Sequence, residues 1–491
     1  MHNLTIHQGG STRTISFEGT PVLGELLGTE VQHPCGGRGF CGKCAVEISG
    51  CISEPSDAEK KAGTRLSCQV VLLGDAVVTL PDKKVMEQIE TSGSSALTAS
   101  APMEGRLGAA VDIGTTTLAL RLYDLSTGAL IGDSAMLNPQ TSVAADVMGR
   151  ISAAMSGSLE MLQNQVLDAI RTLIDSACEK AGKPADEVDS MVITGNTTML
   201  YLLTGRNPEA LSHAPFHADC LFGETVNLLD RTCCLPACMN AFVGADITCA
   251  LLDSDQCSSD EISLLCDIGT NGEIALWKNG ELFVTSTAAG PAFEGAGISC
   301  GCSSIRGAID RVWTEDGELR VHTIGEADAV GVCGSGLIDA IAAGLDLELI
   351  DETGAMDDDE IELAPGVALQ PKDVRAVQLA KAAIAAGIET LLETAKVDVS
   401  EVATLYIAGG FGNHLDVNSA ARIGLIPEAL SSRVKAIGNA SLAGASRLLL
   451  DQNAMRKAQE IAEKSQHVNL GGNPKFNEHY IDQMLFPFED M

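Results

Sequence analysis

Aromatic residues are scarce in this 491-residue sequence, which has only two tryptophans, four tyrosines and eleven phenylalanines. Hydrophobic residues still make up 45% of the chain, so its cores must be built mostly from aliphatic side chains. Basic residues are also few, since 32 Lys and Arg stand against 66 Asp and Glu, which gives a formal net charge of −34. Because nucleic-acid phosphates are bound by basic faces, this balance argues against a nucleic-acid-binding role.

Long apolar segments are lacking as well. The nearest approach, residues 374–393, is interrupted by Lys381 and Glu389 in the manner of an amphipathic helix, which argues against a membrane span. The first residues, MHNLTIHQGG, do not have the basic region and apolar stretch of a signal peptide. We therefore expect a cytoplasmic protein with no membrane partner, whose sixteen cysteines are metal ligands or free thiols rather than disulfides.

The pattern of the chain predicts a multidomain α/β protein. Residues 1–82 contain four short stretches rich in Ile, Val and Thr (NLTIHQ, TRTISFEG, AVEISG and DAVVTLP), which predict a small β-rich domain. Residues 83–107 are polar, with the small-residue segment SGSSALTASAP at their centre, and are interpreted as a linker. From residue 108 to residue 491, strand-like runs alternate with helical patterns, which indicates a larger α/β domain.

This larger region contains an internal duplication. GAAVDIGTTTLALRLYDLSTGALIGDSAML and SLLCDIGTNGEIALWKNGELFVTSTAAG both place Asp-Ile-Gly-Thr after an apolar strand, followed by two more strands. The copies lie about 155 residues apart, which is too far for a solenoid repeat. Two related halves predict two lobes that face a common cleft.

The clustered cysteines predict an iron–sulfur site. Cys35, Cys41, Cys44 and Cys68 have the spacing C-x5-C-x2-C-x23-C, which differs by one residue in its first gap from the C-x4-C-x2-C pattern of plant-type 2Fe–2S ferredoxins. A glycine-rich loop such as PCGGRGFCGKC can wrap closely around a cluster and direct N–H groups toward its sulfurs. A zinc site is the alternative, but zinc ligands usually come as C-x2-C pairs at both ends. Residues 1–82 resemble the β-grasp 2Fe–2S ferredoxins.

The paired hairpins predict a phosphate site. Asp112 and Asp267 each end an apolar strand, where a carboxylate can hold Mg²⁺ or orient an attacking water. The following Gly and Thr residues form turns that present N–H groups and hydroxyls to a phosphate. One such hairpin would be weak evidence because D-x-G-T also makes ordinary turns, but two copies in equivalent places are stronger. Asp246, in VGAD, is either a further residue of this cleft or a helix cap.

A third element, LYIAGGFGNHLD, has an apolar strand followed by Gly409 and Gly410. With the two hairpins it resembles the acetate and sugar kinase/Hsp70/actin superfamily of ATPases, and no Walker loop is present in the sequence. VITGNTTML and AIGNASLAGA are similar to the connecting segments of that superfamily. The resemblance implies that ATP and Mg²⁺ bind in the cleft, at residues Asp112, Gly114, Thr115, Thr116, Asp246, Asp267, Gly269, Thr270, Asn271, Gly409 and Gly410. By the same likeness, Asp112 and Asp267 would be the catalytic pair.

A ferredoxin joined to an ATPase suggests that nucleotide turnover assists an uphill electron transfer. Plant-type clusters lie at about −400 mV, and every further 100 mV downward costs about 2.3 kcal/mol per electron. The whole chain resembles the reductive activators of corrinoid proteins, which return Co(II) corrinoid to Co(I) in methyltransferase and O-demethylase systems. The resemblance implies a corrinoid protein and a low-potential electron donor as partners, and it leaves a homodimer open.

Two other functions stay open at this stage. The chain could donate electrons to a different low-potential metalloenzyme, or it could be a ferredoxin-type carrier with a non-catalytic nucleotide-binding module. Glycine-rich stretches at residues 235–252, 288–301 and 331–345 also resemble the activator family, and they are either packing turns or part of the surface that meets the corrinoid. The short segment 83–107 leaves little room for the separate middle domain that longer members carry.

Overall fold

The computed structural model describes residues 1–8, 11–27, 31, 39, 44–80, 99–410 and 412–487. Its first domain has a five-stranded mixed sheet of order β2-β1-β5-β3-β4, in which β1 and β5 are parallel. Two short helices accompany the sheet, and the core consists mainly of leucine, isoleucine and valine side chains from the strands and from the first helix. The elements are β1 (His2–Gln8), β2 (Ser11–Phe17), α1 (Leu23–Leu27), β3 (Ala45–Ile52), α2 (Asp57–Ala62), β4 (Arg65–Leu66) and β5 (Leu72–Thr79).

The four strands predicted in this domain are β1, β2, β3 and β5. The two-residue strand β4 is not one of these four stretches, because a pair of residues shows no alternation. Its register is set by pairing of Leu66 with Ala45 at the start of β3. The capping box of Ser56 and Glu59 begins α2, and Glu59 also accepts hydrogen bonds from Arg65 and from the Leu66 N–H, so the helix and β4 are fixed together.

The first lobe of the larger region contains a six-stranded sheet of order β10-β11-β9-β6-β7-β8. Its core is aliphatic, as the shortage of aromatic residues predicts, with α4 covering one face. The elements are β6 (Leu107–Ile113), β7 (Thr117–Asp124), β8 (Ala129–Leu137), α3 (Val147–Ala153), α4 (Leu159–Ala181), β9 (Val188–Thr194), α5 (Thr197–Thr204), β10 (Phe222–Leu228), β11 (Arg231–Ala237) and α6 (Ala245–Ser254).

The second lobe contains a six-stranded sheet of order β21-β20-β12-β13-β14-β22, with smaller sheets inserted between β14 and α8. The elements are β12 (Ser263–Ile268), β13 (Gly272–Lys278), β14 (Glu281–Thr287), β15 (Ala308–Glu315), β16 (Glu318–Thr323), β17 (Gly331–Val332), α7 (Gly334–Asp346), β18 (Ile361–Ala364), β19 (Val367–Leu369), α8 (Pro371–Ala395), β20 (Thr404–Ala408), α9 (Val417–Arg422), β21 (Val434–Gly438), α10 (Ala440–Leu450), α11 (Asn453–Lys464), β22 (Ser465–His467) and α12 (Pro474–Asp482).

The internal duplication is visible in the strand order. β6 lies between the parallel strand β9 and the antiparallel strand β7, while β12 lies between the parallel strand β20 and the antiparallel strand β13. Both copies then add a third antiparallel strand, β8 or β14. The two turns that follow Asp112 and Asp267 therefore occupy equivalent places in the two lobes.

Helix α10 joins the lobes because it follows β21 of the second sheet but packs against α6, β6 and β9 of the first lobe. The crossing with α6 is close enough that a Cβ on Gly444 would lie 2.1 Å from the Cys249 carbonyl oxygen. The chain that enters from the first domain is fastened to the end of the same helix. The N–H groups of Ala101 and Met103 donate to the carbonyls of Leu450 and Leu449, at 3.2 and 2.9 Å.

Candidate functional site

A cleft of about 640 Å³ lies between the two lobes. Residues from both Asp-Ile-Gly-Thr hairpins line it, together with the start of α6, the loops before α7 and after β20, and the start of α10. All eleven residues predicted for the nucleotide site line this one cleft: Asp112, Gly114, Thr115, Thr116, Asp246, Asp267, Gly269, Thr270, Asn271, Gly409 and Gly410. The structure thus brings the predicted set together, while the role of each residue stays a prediction.

The first hairpin joins β6 to β7. Gly114 is required at its tip, because a Cβ there would lie 2.7 Å from the Thr117 carbonyl oxygen. The Asn138 side chain donates to the Gly114 carbonyl at 2.8 Å, and the Asn196 side chain donates to the Thr115 hydroxyl oxygen at 3.1 Å. These amides hold the turn so that its threonine hydroxyls face the cleft.

A buried cation lies behind this hairpin. Arg150, on α3, has no solvent exposure and forms no ion pair among the described residues. Its guanidinium donates to the Thr115 carbonyl at 2.5 Å, to Ala144 O at 3.1 Å and to the Gln140 side chain at 3.2 Å. Burial lowers the pKa of Arg150 to about 10, which still leaves it charged at neutral pH. The residue therefore places a positive charge against the backbone of a turn predicted to bind phosphate.

The second hairpin joins β12 to β13, and it lies across the cleft from the first. The Gly269 N–H donates to the Asn271 carbonyl at 3.0 Å, which closes the turn. The Thr270 N–H and hydroxyl both donate to one oxygen of Glu294, at 2.9 and 2.8 Å. The other oxygen of Glu294 accepts from the Thr116 hydroxyl of the first hairpin at 2.5 Å. One carboxylate thus connects the two hairpins.

The glycine pair after β20 approaches the second hairpin closely. Gly409 has φ of +89°, and a Cβ at this position would lie 2.8 Å from the Asp267 side-chain oxygen. Its N–H donates to the Gly438 carbonyl at the end of β21. A side chain at position 409 would therefore be strained by the backbone and would also displace Asp267.

Four carboxyl groups in the cleft have raised pKa values. Burial raises the pKa of Asp112 to about 7, with the Asn439 side chain at 3.1 Å opposing the shift and Asp267 adding to it. Burial, with further repulsion from Asp267 and Asp112, raises the pKa of Asp246 to about 8. Burial and the charge of Glu294 raise the pKa of Asp267 to about 6, and burial raises that of Glu273 well above its usual range. Bringing these carboxylates together costs free energy that a bound cation would offset.

This donor set suits a hard divalent cation. Carboxylate oxygens are the protein ligands that Mg²⁺ prefers, and Mg²⁺ commonly takes only one or two of them together with phosphate oxygens and water. Within the described ranges, no group of three or more His, Cys, Asp or Glu side chains is arranged to hold a metal ion alone.

Several cleft residues were not predicted. Asn196 and Asn439 begin the helices of the two connecting segments, which the sequence had already singled out as VITGNTTML and AIGNASLAGA. Glu294 and Ser335 come from the glycine-rich stretches at 288–301 and 331–345, which were assigned to packing turns or to the corrinoid surface. The structure places Glu294 and Ser335 in the cleft. No local pattern signals Glu294, because its partners are distant in the sequence.

Two of the four predicted cluster ligands meet in the first domain. Cys44 lies just before β3 and Cys68 just after β4, and their sulfur atoms are 3.3 Å apart. The Ser67 N–H donates to the Cys44 carbonyl at 2.9 Å, which holds the two segments together. Cys35 and Cys41 lie outside the described residues. A thiol pair this close, one buried and one partly buried, fits a site in which thiolates converge on one cluster.

Family models match almost the whole chain. The model of a 2Fe–2S iron–sulfur cluster binding domain matches residues 6–73. The model of the middle region of the reductive activators of corrinoid proteins matches residues 107–256. The model of the C-terminal domain of the same activators matches residues 261–491, and it is described as an ASKHA domain, the fold of the acetate and sugar kinase, Hsp70 and actin superfamily. A corrinoid activation enzyme of Eubacterium limosum, RamQ, is 34% identical over 417 residues, covering 77% of this chain and 70% of that protein. This chain belongs to the family of corrinoid-protein reductive activators.

Two further similarities agree with this assignment. The reductase of the Co(II) methylated amine-specific corrinoid protein from Methanosarcina barkeri is 26% identical, over 77% of each chain. A solved structure of a reductive activator for corrinoid, iron–sulfur protein superposes with a TM-score of 0.73 at 25% identity, covering 100% of this chain and 99% of that one. The predicted fold is therefore confirmed: an N-terminal β-grasp 2Fe–2S ferredoxin domain is followed by a two-lobed actin-like ATPase fold.

The middle region of the family corresponds to the first lobe, since its match ends at residue 256, just after α6. The middle region is therefore present in this chain, at residues 107–256 and not within the short segment 83–107. Among the described helices, none combines the length and the apolar character that a bilayer crossing requires.

Proposed function

We propose that this protein is an ATP-dependent reductive activator, which passes an electron from its N-terminal 2Fe–2S domain to the Co(II) corrinoid of a methyltransferase or O-demethylase corrinoid protein and restores Co(I). The observation that carries this proposal is the presence, in one chain, of a ferredoxin-type thiol site and a two-hairpin cleft suited to a nucleotide. One named relative is a corrinoid activation enzyme and the other is the reductase of a methylated amine-specific corrinoid protein, which supports a corrinoid protein as the partner.

We expect the cleft to bind ATP with its phosphates between the hairpins. Thr115 and Thr116 would donate from the first hairpin, and Thr270 and Asn271 from the second. Asp112 and Asp267 would hold Mg²⁺ or orient the attacking water, since both carboxyl groups line the cleft. Gly409 and Gly410 would leave room for the adenosine. Arg150 behind Thr115 adds positive charge near the phosphates without entering the cleft.

The first domain would supply the electron. When bound, a 2Fe–2S cluster provides one-electron chemistry at low potential. Cys44 and Cys68 would contribute two of its thiolate ligands, with Cys35 and Cys41 as the predicted remaining pair. One electron leaves this domain, one cobalt ion gains it, and a low-potential donor resupplies it.

The second substrate, ATP, accounts for the direction of transfer. An acceptor 100 mV below its donor resists reduction by about 2.3 kcal/mol per electron. Nucleotide-driven movement of the lobes would offset such a deficit by changing the surroundings of the cobalt. We also propose a cytoplasmic location, because a reducing compartment keeps the thiols of a chain with sixteen cysteines available as metal ligands.

The test is reduction of a corrinoid protein held in its Co(II) state, followed by the absorbance of Co(I), under anaerobic conditions with a titanium(III) reductant. The wild-type protein should form Co(I) with ATP and Mg²⁺, and much less without them. Asp112→Asn and Asp267→Asn should each slow the reaction by at least tenfold, whereas Asp316→Asn, at an exposed turn, should leave it unchanged. Equal rates with and without ATP would overturn the proposal.

A further inference from the structure

Glu294 makes contacts that the proposed function does not explain. It ends a short 3-10 turn, Pro291–Glu294, which follows β14 of the second lobe. Its carboxylate accepts three hydrogen bonds, one from the Thr116 hydroxyl and two from the Thr270 N–H and hydroxyl. The donors belong to different lobes, and they are groups that the two hairpins would otherwise offer to a phosphate.

In its hydrogen bonding, the Glu294 carboxylate resembles the phosphate that the site is proposed to bind. A carboxylate and a phosphate are both acceptor-only anions, and each prefers N–H and O–H donors. One Thr116 hydroxyl proton can serve only one acceptor at a time. A terminal phosphate that used the same donors would therefore have to displace Glu294. The displacement would also separate Glu294 from Asp267, whose pKa it raises.

The turn that carries Glu294 lies between two glycines and a fixed segment. Gly290 and Gly295 bracket the turn with φ of +83° and +74°. The segment beyond it is fixed, because the Ser299 N–H donates to buried Asp373 at 2.8 Å and the Cys302 N–H donates to Val332 at 2.9 Å. Ala292 and Phe293 of the turn are themselves buried in the core of the second lobe, so the movement that releases Glu294 is confined to its side chain and to the end of the turn that carries it.

We propose that Glu294 is an internal competitor for the terminal phosphate of the nucleotide: it bridges the two hairpins until ATP takes its hydrogen-bond donors and releases it. This inference rests on the proposed function, because it needs a nucleotide in the cleft. Binding of a triphosphate then breaks the carboxylate link between the lobes and forms a phosphate link in its place. A nucleoside monophosphate, which cannot reach both hairpins, leaves Glu294 in place.

The experiment compares the dissociation constants of the full-length holoprotein for the non-hydrolysable analogue AMP-PNP and for AMP, both with Mg²⁺. Glu294→Ala should bind AMP-PNP about tenfold more tightly than wild type, because three charge-assisted hydrogen bonds no longer compete, while its affinity for AMP is unchanged. Glu294→Gln, which keeps the shape but not the charge, should fall between the two. Glu428→Ala changes an exposed glutamate on another 3-10 turn of the same lobe and should match wild type.

Hydrogen exchange of the wild-type protein gives a second measurement that needs no variant. Peptides covering residues 288–298 should lose protection when AMP-PNP binds and keep it when AMP binds. Unchanged or weaker AMP-PNP affinity in Glu294→Ala would overturn the proposal, as would protection that rises with AMP-PNP. If the wild-type protein binds AMP-PNP but either of these results is found, the proposed function stands and only the role of Glu294 is overturned. If the wild-type protein binds neither nucleotide, the role of Glu294 and the proposed function are both overturned.

Discussion

The substitution Asp112→Asn should make the metal-free and nucleotide-free protein more stable at alkaline pH. Asp112 has a folded-state pKa of about 7 against an ordinary value of 3.8. A carboxyl whose folded pKa is raised contributes stability that is fully present below the unfolded pKa and is lost as pH rises through the folded pKa. With about 1.4 kcal/mol per pKa unit, the loss for Asp112 is at most about 4 kcal/mol, of which about 2 kcal/mol falls between pH 5.5 and 8.5.

Asparagine is neutral in the folded and unfolded states, so it removes this loss. Its amide oxygen can still accept the hydrogen bond that Asn439 donates at 3.1 Å, which keeps the local packing. Melting temperatures should therefore diverge with pH, with Asp112→Asn melting higher than wild type by roughly 5 °C at pH 8.5 and by less at pH 5.5.

The assay is thermal unfolding by circular dichroism in the presence of a chelator, under anaerobic conditions, across this pH range. Asp316→Asn is the matched control, since Asp316 is exposed at a turn with φ of +53°, a conformation that asparagine also tolerates. The reasoning is refuted if wild type and Asp112→Asn lose stability in parallel as the pH rises.

Three further outcomes are expected. Cys68→Ser should abolish the visible absorption and lower the iron content of anaerobically prepared protein, whereas Cys51→Ser, at an exposed thiol, should retain both. Arg150→Met should destabilise the first lobe by about 2–4 kcal/mol in chemical denaturation, because two buried acceptors and one partly buried acceptor lose their donor. Arg456→Met, at an exposed position, should cost less than about 0.5 kcal/mol, and equal effects would contradict the role given to the buried guanidinium. Gly244→Ala should lower the melting temperature and weaken AMP-PNP binding, because its Cβ would lie 2.4 Å from a backbone atom at the start of α5; unchanged affinity would contradict this placement.

Most of the cleft could be predicted because its residues sit in local patterns. Asp112 and Asp267 each end an apolar strand and precede a glycine turn, so a short stretch of sequence is enough to locate them. The repetition of that pattern then predicted the two lobes. The ferredoxin strands were found for the same reason, since their alternation is local.

The residues that were missed depend on contacts between distant parts of the chain. Glu294 meets Thr116 across 178 positions, and Asn439 meets Asp112 across 327, which no local spacing encodes. Arg150 was missed for a related reason: an arginine within a helical pattern is ordinarily a surface residue, and only the packed fold reveals that it has no exposure.

The attachment of residues 101–103 to the end of α10 limits where electrons can be delivered. Twenty-one residues, 80–100, lie between the end of β5 at Thr79 and this anchor, and even a fully extended chain of that length spans no more than about 75 Å. Every docking position of the redox domain therefore lies within a bounded sphere centred on the helix that joins the two lobes. A corrinoid held by a partner must come inside that radius, so the geometry of the tether restricts which faces of the ATPase a productive complex can use.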